Sequence, residues 1–213
     1  MSDTREKFDR ASATWDEEPR RVKLAAELAA CIAAEVRLGP DMDVLDYGCG
    51  TGLVTLRLQP FVRSITGADT SGGMLEVLRE KCRKQGLSNV RTALLQPGSG
   101  VAIQGRFHLV VSCMTLHHVA DVATLLRDFR SVLLPGGIVA IADLDKEDGG
   151  FHGDAIPAAH AGFDRKGMAE MLENASFGDV RDITAALIEK VSADGCKREY
   201  PVFLITARTR QRS

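Results

Sequence analysis

The segment Asp46-Tyr47-Gly48-Cys49-Gly50-Thr51-Gly52 follows the apolar pair Val44-Leu45 and precedes a helical pattern from about Leu53. This strand–glycine–helix order constrains the chain more than any other feature. Glycines permit positive φ and leave the backbone bare to a ligand. A helix N-terminus supplies unpaired N–H donors. In open α/β sheets, ligands bind at the carboxyl ends of the strands, beside the switch point.

The rest of the chain continues the alternation. Sequence patterning predicts strands over 64–68, 89–95, 107–112 and 138–142, and helices between them. Ser71 is a predicted cap for a helix carrying Met74, Val77, Leu78 and Cys82 and ending at Gly86. Val122, Leu125, Leu126, Phe129, Val132 and Leu133 form one helical face, and Asp164 is a predicted cap for a helix through Met168, Met171 and Leu172. Two β-rich stretches, about 179–189 and 200–207, are joined by a short turn near Gly195. A parallel crossover needs a dozen or more residues, so these two must pair as an antiparallel hairpin.

The first forty residues are predicted helical. Asp3 with Glu6 fits a capping box, and Pro19 suits the first turn of a second helix, which Gly39-Pro40 would stop. The expected fold is therefore a doubly wound, Rossmann-like α/β domain. It has a seven-stranded, mostly parallel sheet with a C-terminal antiparallel hairpin, and an N-terminal helical lid. The division is 1–39 for the lid and 40–213 for the core, within one domain.

The ligand class follows from what the turn lacks. A dinucleotide fingerprint would need a third glycine at position 53, which is Leu53. No Gly-Lys-Ser/Thr follows, which excludes a Walker loop. Asp69 lies 23 residues after Asp46, at the end of the second predicted strand. A carboxylate there can accept from both hydroxyls of a ribose, or it can simply cap a helix.

Taken together, these segments resemble the class I S-adenosylmethionine-dependent methyltransferases. Asp46–Gly52 looks like their first motif, and Gly67-Ala68-Asp69-Thr70-Ser71-Gly72-Gly73-Met74-Leu75 like their second. Phe107–Ser112 with Leu116-His117-His118-Val119 is similar to the fourth-strand region, and Leu133-Leu134-Pro135-Gly136-Gly137 to the turn before the fifth strand. The nearest likeness is to the ubiquinone/menaquinone-methyltransferase-like (type 11) group, whose helical lid Phe8-Asp9 and Thr14-Trp15-Asp16 also resemble.

The resemblance implies S-adenosylmethionine as cofactor, S-adenosylhomocysteine as product and a small-molecule methyl acceptor. Gly48, Cys49, Gly50, Thr51 and Gly52 would border the methionine part and the ribose. Asp46 would place the ammonium, Asp69 with Thr70 the ribose, and Met74 the adenine. Leu95-Gln96 stands where the family often has an aspartate for the adenine amino group; Gln96 can still accept, without charge. Cys113 would flank the pocket.

Methyl transfer from a sulfonium needs alignment and exclusion of water, and a base only where the acceptor must lose a proton. His117 and His118, just beyond the fourth strand, are the candidate bases; His152 and His160 lie in the next loop. Packing between loop and helix is the alternative for each. Trp15, the only tryptophan, either faces the cationic sulfonium or anchors the lid. His108 is expected to be a satisfied histidine at a strand edge.

Composition narrows the partners. A net charge of −2 with 26% charged residues leaves no basic footprint for nucleic acid. The residues after the fourth strand, Ser112-Cys113-Met114-Thr115, do not resemble the motif of amino-directed DNA enzymes. The five scattered cysteines and the histidines give no metal spacing or disulfide framework. No apolar run is long enough for a membrane span, and a cytoplasmic location is expected. Two other readings share the strand–glycine–acid pattern: a non-catalytic S-adenosylmethionine-binding module and an NAD-dependent oxidoreductase. The acceptor and the oligomeric state carry no sequence signal.

Overall fold

The computed structural model describes residues 2–96, 103–151, 158–191 and 197–210. The elements run α1 (Ser2–Ala11), α2 (Pro19–Val36), β1 (Asp43–Tyr47), α3 (Thr55–Leu58), β2 (Ser64–Asp69), α4 (Gly72–Gln85), β3 (Val90–Leu94) and β4 (Phe107–Cys113). They continue with α5 (Val122–Val132), β5 (Leu133–Leu144), α6 (Arg165–Asn174), β6 (Phe177–Val191) and β7 (Lys197–Thr209). The strands form one seven-stranded sheet in the order β3-β2-β1-β4-β5-β7-β6. Strands β1 to β5 run parallel, and β7 is antiparallel to both β5 and β6.

Alternation along the central strands builds a core on each face. Val44 and Leu45 are both buried but point to opposite sides. Val44 joins Leu109, Val111 and the α2 residues Leu28, Ala29 and Ile32. Leu45 joins Val110 and the α5 residues Leu125, Leu126 and Phe129. Burial on both faces accounts for the continuous apolar runs of β4 and β5. The order reverses between β1 and β4, so the switch point lies where the glycine turn leaves β1.

Local boundaries differ from the sequence reading in physically clear ways. Helix α1 begins at Ser2, so Asp3 lies in its first turn instead of at its cap, and Glu6 accepts from Arg10 at 3.4 Å. Helix α2 ends at Val36 because Arg37 adopts the left-handed conformation (φ 52°), ahead of Gly39-Pro40. The helix after the glycine turn is a single turn, passing into a 3-10 turn at Gln59–Phe61 where Pro60 interrupts it. Strand β5 begins at Leu133, carrying Pro135-Gly136-Gly137 as an irregularity opposite β4. Gly195 and Pro157 lie outside the described residues.

Candidate active site

The first residues after β1 stay tied to β2: the Gly48 and Cys49 amides both donate to the Ala68 carbonyl, at 2.7 and 3.1 Å. The three glycines are bare for different reasons. A Cβ on Gly48 would stand 2.2 Å from the Thr115 hydroxyl, and one on Gly52 would stand 2.4 Å from Leu78 Cδ1. These two glycines serve close packing against the β4 loop and α4. At Gly50, φ is +54° and the nearest atom to a Cβ would be Met74 Sδ at 4.0 Å. Of the three, Gly50 alone presents open backbone, beside buried Met74.

Two carboxylates flank that opening. Asp69, at the end of β2, accepts from the Gly50 amide at 2.9 Å and the Ser71 amide at 2.8 Å, one through each oxygen. Burial raises its pKa, and the amides of Ser71, Gly50 and Thr70 oppose that rise. The carboxylate retains acceptor capacity beyond these amides. Asp46, near the end of β1, is 1% exposed and accepts from the Thr55 hydroxyl at 2.6 Å. Burial, with the repulsion of Asp69 behind it, pushes Asp46 up to about 7, against the Thr55 hydrogen bond. Both carboxylates are therefore stabilised in their charged form by a cation or donor brought to them.

The other expected cofactor residues divide. The Thr51 hydroxyl is turned to the lid and donates to Asp16 at 2.6 Å. Cys49 is buried with Leu75, Leu78 and Cys82, its sulfur toward Gly67. Burial raises the thiols of Cys49 and Cys113 well above the usual range, and Asp46 adds repulsion in both cases. Both are held as thiols, which removes them as nucleophiles. Leu95 is buried, with its amide donating to the Asp69 carbonyl at 2.8 Å; Gln96 is exposed and Thr70 half-buried.

The histidines take separate places. His117, 1% exposed, has its Nδ1 at 2.6 Å from Asp143 Oδ1. Asp143, fully buried near the end of β5, also accepts from the His117 and Leu144 amides at 3.3 and 2.8 Å. His118 is half-buried; its ring meets Phe8 of the lid edge-on at 5.3 Å and lies 4.2 Å from the His117 ring. His160 binds backbone: its amide donates to the His117 carbonyl and its Nε2 lies 2.9 Å from the Val119 carbonyl. His108 Nδ1 accepts from the Asp43 amide at 3.1 Å, a satisfied position at the far end of β4. His152 lies outside the described residues.

The lid is latched over the glycine turn by two carboxylates. Asp9 accepts from the Ser71 hydroxyl at 2.6 Å and the Gly73 amide at 2.9 Å, bonds that lower its pKa. Asp16 holds Thr51 and pairs with Lys81, which also donates to the Thr51 carbonyl at 2.8 Å. Trp15 is half-buried with Phe8 against its edge and the Arg21 guanidinium 3.7 Å over its ring. The cation on Trp15 is thus Arg21, and the ring anchors the lid to the start of α2.

Sequence reasoning missed Thr55, Lys81, Thr115 and Asp143. Only Asp143 carried a signal, as an acid inside the apolar run Ile138–Leu144. Among the described residues, no cluster of His, Cys, Asp or Glu is placed to hold a metal, and no helix is long and apolar enough to cross a membrane. A surface groove lined by Arg37, His108, Pro135 and Arg208 lies at the opposite, amino end of the parallel strands.

Residues 44–137 match the family model described as a methyltransferase domain. An uncharacterized methyltransferase of Schizosaccharomyces pombe is 31% identical over 160 residues, covering 68% of this chain and 56% of that protein. A ubiquinone biosynthesis O-methyltransferase of Methylobacterium is 27% identical over 156 residues, covering 66% of this chain and 62% of that protein. The chain thus spans little more than half the length of these relatives. The solved structure of the YcgJ protein from Bacillus subtilis superposes with a TM-score of 0.71 at 16% identity, covering 86% of this chain and 98% of that one.

Proposed function

We propose that this chain, whose residues 44–137 belong to the methyltransferase-domain family, transfers the methyl group of S-adenosylmethionine to a small-molecule acceptor. One observation carries the reading. Gly50 leaves open space at the switch point, and the carboxylate beside it, Asp69, is held in place by the Gly50 amide. The residues fit an adenosyl ligand: a bare backbone turn, an acceptor-only group beside it, and a second buried acid whose charged form lacks a cation.

The bound cofactor supplies an already activated methyl group. Asp69 accepts the ribose hydroxyls while its amide bonds fix its rotamer. Asp46 takes the ammonium, with Thr55 fixing the carboxylate. Met74 packs against the adenine, and Leu95-Gln96 border it at the end of β3. The lid, with Phe8, Trp15 and His118 in edge contact, excludes water from the transfer end. His118, at the pocket side of the histidine pair, takes a proton from an acceptor that must lose one. His117, turned inward to Asp143, positions its neighbour.

Calorimetry with S-adenosylhomocysteine tests the reading. Wild type should bind in the micromolar range and Asp69→Ala should lose at least about a hundredfold, since two charge-assisted hydrogen bonds are removed. No heat with either cofactor form at millimolar concentration overturns it. A metabolite screen for S-adenosylhomocysteine release then separates an enzyme from a binding module.

A further inference from the structure

The β6–β7 hairpin outruns the rest of the sheet. Pairing between β5 and β7 ends at Leu144↔Val202, while β6 and β7 remain paired to Val191↔Lys197. The extra length stands beyond the carboxyl end of β5, the same end as the glycine turn, and α2 packs against both hairpin strands. A seam therefore runs between the lid and this arm.

Two half-buried cations line the seam, each seated in the same way. Arg21 lies 3.7 Å over the Trp15 ring and donates to the Trp15 carbonyl at 3.1 Å. Lys190 lies 4.3 Å over the Phe151 ring and donates to the Phe151 carbonyl. Phe151 is fixed in turn edge-on to Tyr200 at 5.2 Å. Neither cation has a carboxylate within ion-pair distance among the described residues. The acids whose charge reaches them are engaged elsewhere: Glu18 is clasped by Arg20, Asp16 by Thr51 and Lys81, and Glu147 accepts from the Phe151 amide.

Partial burial is the largest effect on both groups and lowers both pKa values. The neighbouring charge of Arg20 lowers both further, and that of Arg21 lowers Lys190. Half-desolvated cations carried on two packed elements, with no carboxylate at ion-pair distance among the described residues, are an arrangement completed by an anion. The rings connect this arrangement to the transfer end. His118 meets Phe8 at 5.3 Å, Phe8 meets Trp15 at 5.6 Å, and Trp15 carries Arg21.

We propose that Arg21 and Lys190 form an anion site that receives the carboxylate or phosphate of the methyl acceptor. Its aromatic floor is Trp15 under Arg21 and Phe151 under Lys190. The acceptor class is then a small anionic molecule with an apolar or aromatic body between its charge and its methylated atom. This assignment rests on the methyltransferase reading above.

Trp15 is the only tryptophan and lies under Arg21, so its fluorescence reports the site without turnover. The protein is titrated at constant ionic strength with benzoate, phenyl phosphate and, as neutral control, benzyl alcohol. Concentrations run to about 20 mM, the affinity range of fragments. A saturable change is expected with at least one anion and none with the alcohol; which anion responds separates carboxylate from phosphate. Lys190→Gln should weaken it roughly tenfold, the loss of one charge-assisted hydrogen bond, while Lys190→Arg retains it.

The inference is overturned by silence with both anions, by an equal response to benzyl alcohol, or by an anion titration unchanged in Lys190→Gln. The titration needs no cofactor. Failure of S-adenosylhomocysteine binding would therefore remove the methyltransferase reading and leave this result interpretable.

Discussion

Single atoms decide what each position of the glycine turn tolerates. A methyl group on Gly52 would strike Leu78, a buried side chain with no room to retreat, in a backbone conformation of φ +81°. At Gly50 the same methyl meets nothing closer than 4.0 Å, and only the left-handed backbone resists it, at about 1–2 kcal/mol. Gly52→Ala should therefore destabilise the fold by about 3 kcal/mol or more, through strain and overpacking together. Gly50→Ala should lose only that about 1–2 kcal/mol in urea unfolding, and should lose S-adenosylhomocysteine binding by calorimetry. Equal destabilisation of the two variants contradicts the division of roles. The glycine spacing and Asp69 were visible in the sequence because they are consecutive or set by βαβ geometry. Thr55 and Lys81 were not, because their partners Asp46 and Asp16 meet them only through the fold.

At the scale of elements, strands were legible and helix ends were not. Strands β2 to β4 fall within a residue or two of the patterning, since burial on both faces forces unbroken apolar runs. Helix α3 carries an apolar pattern but is cut to one turn by Pro60, and α2 stops on Arg37, a residue with no stop signal of its own. Helix α1 shows how an element can depend on docking. With ten residues it is too short to be stable alone, and the bonds of Asp9 and Asp16 hold the segment down. Replacing both acids with alanine should release residues 2–17. Their amides should then exchange at rates close to those of an unfolded chain, while amides of β1 and β4 keep their protection. Hydrogen-exchange mass spectrometry reads both. Unchanged protection over 2–17 would mean that apolar contacts of Phe8 and Trp15 alone suffice to seat the lid.

For the whole molecule, the antiparallel hairpin followed from connection length, whereas the strand order, closure of the lid onto His118 and the seam against the arm needed three dimensions. What the assembled fold adds is a buried charge whose cost the entire protein carries. Asp46 titrates near 7 in the folded chain and at 3.8 when unfolded. Between those values the unfolded chain has already released the proton that the native state keeps. Stability from this group is therefore full below pH 3.8, falls as pH rises to about 7, and is flat above, a loss of up to about 4 kcal/mol. Asp46→Asn removes that slope. The difference between wild type and variant in urea midpoint, measured at pH 4.5 and pH 8, should shift in the variant's favour at the higher pH. A cation at Asp46 reverses the penalty by stabilising the carboxylate. Affinity for S-adenosylhomocysteine, which carries the ammonium, should then rise with pH up to about 7, by at most tenfold per unit, with about one proton released on binding near pH 6. Calorimetry in buffers of different ionisation enthalpy counts that proton. In Asp46→Asn the count should fall to near zero; an unchanged count would assign the ammonium to another acid.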